Sequence, residues 1–313
     1  MKIKHNSINR QKGAAIIVAI FVMSIVAIAA VAMIDRLNID IRRTKLILND
    51  TKANFLAKGS IAWAMATLND NLTKLQANKV IEVTPIKSPI DKKHGATIET
   101  IIYDAEGRFN LNNLQNPDWE EPFIRLIRAV EPSIDYEGAK NIATGVKDWI
   151  SPAGANIGLE EYYLKQSPAY KAPRRPMASI SELRLIKDID QKIYNKLLPH
   201  VIALPEETKI NVNSASYEVL MSLSPTFNKA ACENIISIRQ QSPFGSPESF
   251  LQLDIVKNHQ ISDKLISNIS SYFLVKSEIK IEKQHTTIYT MLHRLLNNAK
   301  PIENIIWQSK GTL

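Results

Sequence analysis

The chain has 313 residues, of which 45% are hydrophobic and 22% are charged, and it carries a formal net charge of +8. This size allows two modest globular domains in addition to a membrane anchor. The single cysteine, Cys232, excludes an internal disulfide and a multi-cysteine zinc site, and its apolar helical surroundings predict a buried thiol. The positive charge is spread thinly, and the short basic cluster at 173–176 is typical of a solvated loop rather than a nucleic-acid site.

Residues 14–34 form an uncharged, almost wholly apolar run. As a helix that rises about 1.5 Å per residue, this run spans roughly 30 Å, the hydrocarbon thickness of a bilayer. The charged residues before it are all basic, and the first charges after it are Asp35 and Arg36. The positive-inside rule therefore predicts a cytoplasmic N-terminus, with the rest of the chain across the membrane.

Three interpretations of this N-terminus compete. A cleaved secretory signal has an apolar core of about 7–15 residues followed by a small-residue cleavage site, whereas this run is longer and no such site follows it. A plain membrane anchor requires only the run itself. A prepilin-type leader, residues 1–13, would be cleaved on the cytoplasmic side after Gly13, so that Ala14 becomes the new N-terminus and the helix is retained. The small residue that follows Arg10 and Lys12 and abuts the run favours this third interpretation.

The segment after the apolar run predicts a continuing helix and then strands. Apolar residues at near-helical spacing extend the helix to about residue 71, with an amphipathic outer half. β-Branched and partly alternating segments predict strands at 79–84 and 96–104. A tight turn at 104–108 leads into a short strand or strand edge at 109–114.

The middle of the chain is predominantly helical. The apolar pattern predicts helices at 123–130, 136–150, 179–184, 190–198, 215–223, 229–240 and 247–253. Ser179 and Glu182 have capping-box spacing, and Ser214 is the expected N-cap of the helix at 215–223. Residues 151–176 are predicted to form an extended loop. Two Asn-x-Asn edges, at 110–112 and 211–213, each precede helices and suggest a weak repeat.

The C-terminal region returns to strands. Segments at 272–283, 286–294 and 304–307 alternate in part and are separated by turn signals, which predicts an antiparallel meander. Strands on both sides of a helical block suggest one sheet domain that carries an insertion. The fold class is therefore α+β, with an N-terminal transmembrane helix, an antiparallel sheet and a helical insertion.

Four stretches together resemble the K-type minor pseudopilins of the type II secretion system (general secretion pathway protein K). They are the junction at 10–14, residues 107–112 with 147–150, residues 161–163 with 176–185, and residues 209–215. The resemblance implies a transmembrane helix at 14–34 and a pilin-like α/β domain formed by residues 35–108 and 271–313. A large inserted all-α domain, residues 109–270, would interrupt it.

The resemblance implies a subunit that works by assembly and is not an enzyme. It would be a minor pseudopilin at the tip of the pseudopilus, which helps to initiate and cap the filament for protein export from the periplasm. The prepilin peptidase would cut between Gly13 and Ala14, and the new amine would be methylated. Expected partners are the I- and J-type minor pseudopilins, the inner-membrane secretion platform and secreted substrates. The expected location is the inner membrane, with a single pass and the bulk of the chain in the periplasm.

Val18 lies five residues into the mature helix, where most pilin-like proteins carry a glutamate. A glutamate in lipid is costly unless it is paired, and its proposed partner in pilins is the N-terminal amine of the subunit added just before. A subunit without such a predecessor needs no acid, so Val18 fits a place at the filament tip. A plain anchor would have an apolar residue there as well.

The loop after Trp149 is often acid-rich in this family and resembles a calcium site. The carboxylates that remain in this chain are Asp148, Glu160 and Glu161. Positions where further carboxylates are expected hold Ser151, Ala153 and Ala155. Calcium is therefore the one cofactor that the sequence raises, and a capped loop with solvated acids is the alternative.

Residues 210–253 also resemble a helix-hairpin-helix module, so the alternative function is a membrane-anchored DNA-binding protein of the competence type. Such modules bring a glycine-containing hairpin against a phosphate at a helix N-terminus. The hairpin at 223–229 has no glycine, which disfavours close approach of the backbone to phosphate. The sequence has no metalloprotease histidine spacing, G-x-S-x-G elbow or phosphate loop, so nothing in it predicts catalysis.

Overall fold

A computed structural model describes residues 8–76, 86–88, 91–93, 95–152, 158–295 and 302–311 of the protein. The α-helices in this part of the chain are α1 (Ile8–Gln76), α2 (Glu120–Val130), α3 (Tyr136–Ile150), α4 (Glu160–Leu164), α5 (Gln191–Leu197), α6 (Tyr217–Ser222), α7 (Lys229–Gln241) and α8 (Pro247–Leu251). The strands are β1 (Ile86–Lys87), β2 (Asp91–Lys93), β3 (Ala96–Asp104), β4 (Phe109–Asn110), β5 (Val201–Ile202), β6 (Ile210–Asn211), β7 (Ile266–Ser267), β8 (Tyr272–Ile281), β9 (Gln284–Leu295) and β10 (Ile302–Lys310). Short 3₁₀ helices occur at Leu111–Gln115, Pro117–Trp119, Ile180–Leu185 and Asp263–Leu265.

The chain divides into two compact units, Met1–Leu56 and Ala57–Leu313. The first unit contains most of α1, which is the one helix among the described residues that is long and apolar enough to cross a membrane. All side chains at 14–34 are exposed in this unit. The second unit contains the end of α1, the sheet and the helical region.

Six antiparallel strands form the sheet of the second unit. Its order is β1-β3-β8-β9-β10, and β2 pairs with β3 beside β1. β3 and β8 are aligned along their whole length, from Ala96 opposite Ile281 to Asp104 opposite Phe273. The chain therefore leaves the sheet after Asp104 and returns to it at a neighbouring point, so that the helical region is a true insertion between two paired strands.

Side chains pack against both faces of the central strands of the sheet. The residues that pack together on one face come from α1 and from the sheet: Ile61, Ala64, Leu68, Ile102, Phe273, Val275 and Leu292. The alternate residues of β8 and β9 join the core of the helical region: Tyr272, Leu274 and Met291. Because successive side chains of a strand point to opposite faces, α1 covers one face and the insertion covers the other. This double burial explains why the start of β8 is apolar without alternation.

The insertion consists of two repeats with the same architecture. Each begins with a two-residue strand, β4 or β6, which pairs in parallel with a two-residue strand at its end, β5 or β7. Between these strands lie two consecutive helices, α2 and α3 or α6 and α7, followed by a capping box at Ser179 or Ser246. The weak repeat that the Asn-x-Asn edges suggested is therefore present in three dimensions.

The α+β fold predicted from the sequence is confirmed, and Cys232 is buried as expected. The prediction for Ser214 is wrong: the N-cap of α6 is Ser216, whose hydroxyl accepts the N–H of Val219, because Ser214 is turned toward Asp104. The segment at 179–184 has the predicted capping box but is a 3₁₀ helix. The loop at 151–176 contains α4, and the predicted strand at 79–84 lies outside the described residues.

Candidate functional site

The residues predicted for processing and filament packing all lie on α1. Gly13 and Ala14 are within the helix, and Val18 follows about one turn later. The Val18 side chain is 60% exposed and belongs to a surface on which no charged residue occurs between Ala14 and Ile34. A helix with such a surface requires lipid or apolar partner helices around it.

The first repeat is held together by hydrogen bonds of Asn110 and Asn112, the two asparagines of its Asn-x-Asn edge. The Nδ2 of Asn112 donates to the carbonyl oxygens of Leu204 at 2.8 Å and Met177 at 3.1 Å, and its Oδ1 accepts the N–H of Met177 at 2.8 Å. The Oδ1 of Asn110 accepts the N–H groups of Asn112 and Leu204. Both amides are buried, so these bonds satisfy backbone groups that would otherwise lack partners.

The second repeat has the same closure. The Nδ2 of Asn213 donates to the carbonyl oxygens of Phe244 at 3.0 Å and Asn268 at 3.1 Å, and its Oδ1 accepts the N–H of Phe244 at 2.8 Å. The Oδ1 of Asn211 accepts the N–H of Asn213. In each repeat the amide binds the segment two residues before the capping-box serine, so the two edges have the same structural role.

Asp104 connects the sheet to the second repeat. Its Oδ2 accepts hydrogen bonds from Asn211 Nδ2 at 2.8 Å, Ser214 Oγ at 2.5 Å and Ser270 Oγ at 2.9 Å, and its Oδ1 accepts the N–H of Glu106 at 2.8 Å. Burial raises the pKa of Asp104, and these donors oppose the shift. One carboxylate at the end of β3 thus fixes residues from both ends of the second repeat.

Glu106 fixes the point where the chain returns to the sheet. Its Oε1 accepts the N–H groups of Ser271 at 2.7 Å and Tyr272 at 3.0 Å. Burial, together with the charge of Asp104, raises the pKa of Glu106 to about 7. The sequence shows this stretch only as a tight turn, and the acids could have been recognised as structural only through their partners more than 100 residues away.

Beside this junction, His200, Ser216 and Glu218 gather three groups that occur in hydrolytic triads. The His200 Nδ1 lies 3.0 Å from Ser216 Oγ and 3.5 Å from Glu218 Oε2. A triad requires the nucleophile and the acid on opposite ring nitrogens, whereas both groups here approach Nδ1. Ser216 also caps α6. The arrangement is therefore that of a helix cap.

The three carboxylates predicted for calcium each contact a different basic residue. Asp148 Oδ1 lies 3.1 Å from Arg174 Nη1, Glu160 lies 3.3 Å from Lys171 Nζ, and Glu161 lies 2.5 Å from Lys165 Nζ. Calcium takes about 6–8 oxygen ligands. Among the described residues there is no group of three or more acidic, histidine or cysteine side chains placed to hold a metal. The described residues therefore do not assemble a set of calcium ligands.

Neither hairpin of the insertion presents the open backbone that a phosphate site needs. Between α6 and α7, the Ser224 hydroxyl donates to the carbonyl oxygen of His259 at 2.8 Å, and Thr226 contacts the ring of the same histidine. Between α2 and α3, Glu131 places a carboxylate against Lys192 and Lys196. Side chains cover the backbone of one hairpin, and a carboxylate lies at the other. Both features disfavour DNA binding.

An apolar anchor helix, an antiparallel sheet packed on its C-terminal end and a helical insertion define a membrane-anchored, pilin-like protein. Two models of the family described as type II secretion system (T2SS), protein K, match residues 107–206 and 210–270, together slightly more than half of the chain. The chain therefore belongs to the type II secretion system protein K family, and its function is that of a minor pseudopilin of this system. The competence-type alternative is not favoured.

Curated relatives and a solved structure agree with this. The type II secretion system protein K of Pseudomonas aeruginosa is 28% identical over 300 residues, covering 91% of this chain and 89% of its own length. The protein K of Klebsiella pneumoniae is 26% identical over 263 residues, covering 78% and 79%. The crystal structure of the GspK-GspI-GspJ complex from enterotoxigenic Escherichia coli contains a chain with the same fold. The TM-score is 0.71 at 22% identity, covering 87% of this chain and all of that one.

Proposed function

We propose that this protein is the subunit at the tip of the pseudopilus, where it helps to initiate the filament and caps it. Cleavage between Gly13 and Ala14 by the prepilin peptidase removes the leader, and methylation of the new amine follows. The helix at 14–34 anchors the protein in the inner membrane. Its N-terminus is cytoplasmic and the bulk of the chain is periplasmic, because only basic charges precede the apolar run.

The observation that carries this proposal is the way the insertion is attached. In the proposed domain division, residues 35–108 and 271–313 form the pilin-like domain and residues 109–270 form the insertion. The insertion is fixed to the sheet through Asp104 and Glu106 and packs on the face opposite α1, against Tyr272, Leu274 and Met291. A filament of identical copies would have to accommodate this block at every subunit. A single copy at the end of the filament meets no such obstacle.

Val18 supports the same position. The described surface around it is apolar and exposed, and no acid lies between Ala14 and Ile34 to pair with the amine of a preceding subunit. A buried or lipid-exposed glutamate without that partner would be costly. The absence of the acid is therefore favourable for a subunit that has no predecessor.

The proposed direct partners are the I- and J-type minor pseudopilins, since the solved structure with the same fold is a GspK-GspI-GspJ complex. The exposed apolar surface of α1 suits packing against other apolar helices. The inner-membrane secretion platform and secreted substrates are further proposed contacts.

Processing is tested by N-terminal mass analysis of the protein isolated from membranes with and without the prepilin peptidase. We expect a methylated N-terminus at Ala14 when the peptidase is present and an intact leader when it is absent. Cleavage beyond Ile34, or an intact Met1 in the presence of the peptidase, would exclude the proposed maturation.

The tip position is tested by immunogold labelling of pseudopili that are assembled in cells overproducing the major pseudopilin, with an epitope placed at the C-terminus of this chain. We expect gold particles at filament ends, about one position per filament. Label distributed along the filaments would contradict the tip assignment, while leaving membership of the family intact.

A further inference from the structure

We propose that Arg174 takes the place of a bound metal ion in this protein, so that the loop after α3 is closed by an internal ion pair and its stability does not depend on calcium. This inference concerns the candidate calcium residues alone and does not rest on the tip position.

The ion pair joins two segments that flank the loop. Asp148 lies in the last turn of α3 and its side chain is completely buried, whereas the Arg174 side chain retains 19% exposure. The Nη1 of Arg174 is 3.1 Å from the Oδ1 of Asp148. Arg174 precedes the capping box of Ser179, which begins the next ordered element. The pair therefore fastens the end of α3 to the segment that continues toward Ser179, a connection that a metal ion between carboxylates could otherwise make.

The backbone of Arg174 is adapted to this contact. Its φ angle is 55°, in the left-handed region that residues other than glycine rarely adopt. Its neighbour Arg175 has no carboxylate partner among the described residues, and its guanidinium contacts only the carbonyl oxygen of Pro176, at 3.3 Å. Of two adjacent arginines, the strained one is thus the one that neutralises the buried acid.

The same geometry works against a divalent cation. The second oxygen of Asp148, Oδ2, is buried and has no hydrogen-bond partner among the described residues, so it is the oxygen that an ion would have to use. An ion bound to Oδ2 would lie close to the guanidinium on Oδ1, because both oxygens belong to the same carboxylate. Two cations that lie so close together in a buried setting repel each other. Glu160 and Glu161 each have a lysine against Oε1, Lys171 and Lys165, which already balances their charge.

The first measurement uses the full-length wild-type protein in detergent, with thermal unfolding recorded in calcium chloride and in EDTA. We expect the same midpoint in both, because no calcium is bound. A calcium site held at about 100 times its dissociation constant would raise the midpoint by about 5 °C or more. Such a rise in wild-type protein would overturn the proposal without any variant.

The second measurement compares Arg174→Gln with the matched control Arg175→Gln in EDTA. Both remove one positive charge, but only the first leaves a buried carboxylate without its cation. We expect the midpoint of the first to fall by about 5 °C or more and that of the second to stay near wild type. Equal midpoints for the two variants would overturn the proposal.

If Arg174→Gln does not fold, folding of the double variant Asp148→Asn with Arg174→Gln is measured instead. It removes both charges, so the neutral pair no longer needs a cation. Recovery of folding supports the proposal, and failure to recover would show that Arg174 is required for a reason other than the charge of Asp148.

Discussion

Asn112 and Asn213 occupy equivalent positions in the two repeats of the insertion and bind equivalent backbone groups. Each side chain accepts the N–H of one residue, Met177 or Phe244, through Oδ1 and donates from Nδ2 to the carbonyl oxygen of the same residue. Nδ2 also donates to a carbonyl oxygen near the end of its repeat. A primary amide can pair with a backbone peptide in this way, as a strand neighbour would. The insertion is therefore closed twice by the same polar device, and its helices are held to its short strands.

Replacement of either amide should destabilise the protein. We expect Asn112→Ala and Asn213→Ala each to lower the free energy of unfolding by about 2–4 kcal/mol, because each leaves buried backbone groups unpaired. The control is Asn195→Ala, which removes an exposed amide whose one side-chain hydrogen bond among the described residues is with Gln191. Denaturant unfolding of the purified protein in detergent measures the difference. A variant at 112 or 213 as stable as the control would show that these bonds contribute little.

This repeat was only partly predictable. The two Asn-x-Asn edges are visible at 110–112 and 211–213, because the same residue types recur before a helix. The partners of these asparagines cannot be recognised in the sequence, because Met177 lies 65 residues after Asn112 whereas Phe244 lies 31 residues after Asn213. The unequal loop lengths hide the correspondence from any fixed sequence period. Only the folded chain shows that the segments are equivalent.

Gly107 is required by the close approach of the second repeat. A Cβ at this position would lie 2.6 Å from the Oγ of Ser214 and 3.0 Å from its carbonyl carbon. Ser214 cannot turn away without losing its bond to Asp104. We expect Gly107→Ala to lower the free energy of unfolding by about 1–3 kcal/mol.

Gly245→Ala is the matched control for this change. Nothing lies within 4 Å of a Cβ at Gly245, and its backbone is not in the left-handed region. The control should leave stability within about 1 kcal/mol of wild type. Equal effects of the two alanines in thermal or denaturant unfolding would mean that the junction can shift to admit a methyl group.

Glu106 should make stability depend on pH. Its pKa in the folded protein is about 7, raised by burial and by Asp104 from an ordinary value of 4.5. A raised pKa means that folding favours the protonated acid, so this contribution is complete below pH 4.5 and declines as the pH rises to about 7. The loss over that range corresponds to about 3 kcal/mol.

Glu106→Gln tests this contribution because glutamine keeps the acceptor for Ser271 and Tyr272 but cannot ionise. We expect the variant to gain stability relative to wild type as the pH rises from 5 to 8, by up to about 3 kcal/mol. Glu233→Gln, which makes the same change at an exposed position on α7, is the matched control. The pKa of Asp104 is raised as well, so some pH dependence remains in the variant. A constant difference between Glu106→Gln and wild type would contradict the assignment.

The junction at 104–108 is only partly predictable from the sequence. Residues 104–108 are recognisable as a turn, and the order of strands and helices predicts an insertion. The burial of both acids depends on Asn211, Ser270 and Tyr272, which the fold brings to the end of β3 from far along the chain. Local spacing favours Ser214 as a helix cap, but its hydroxyl donates to the distant carboxylate of Asp104 instead.

Val18→Glu should impair secretion if this subunit has no predecessor in the filament. A carboxylate within an apolar membrane helix costs up to about 3 kcal/mol near the bilayer centre, and less toward its edge, unless a partner charge is present. At the tip no preceding amine is available as that partner. We therefore expect a strain that carries the variant to secrete several-fold less of a type II substrate, whereas Val18→Leu should secrete normally. Substrate in the medium and in the cells is quantified together with the amount of variant in the membrane, which separates failed insertion from failed assembly. Wild-type secretion by Val18→Glu at a normal membrane level would show that an acid is tolerated here, and Val18 would then carry no information about position in the filament.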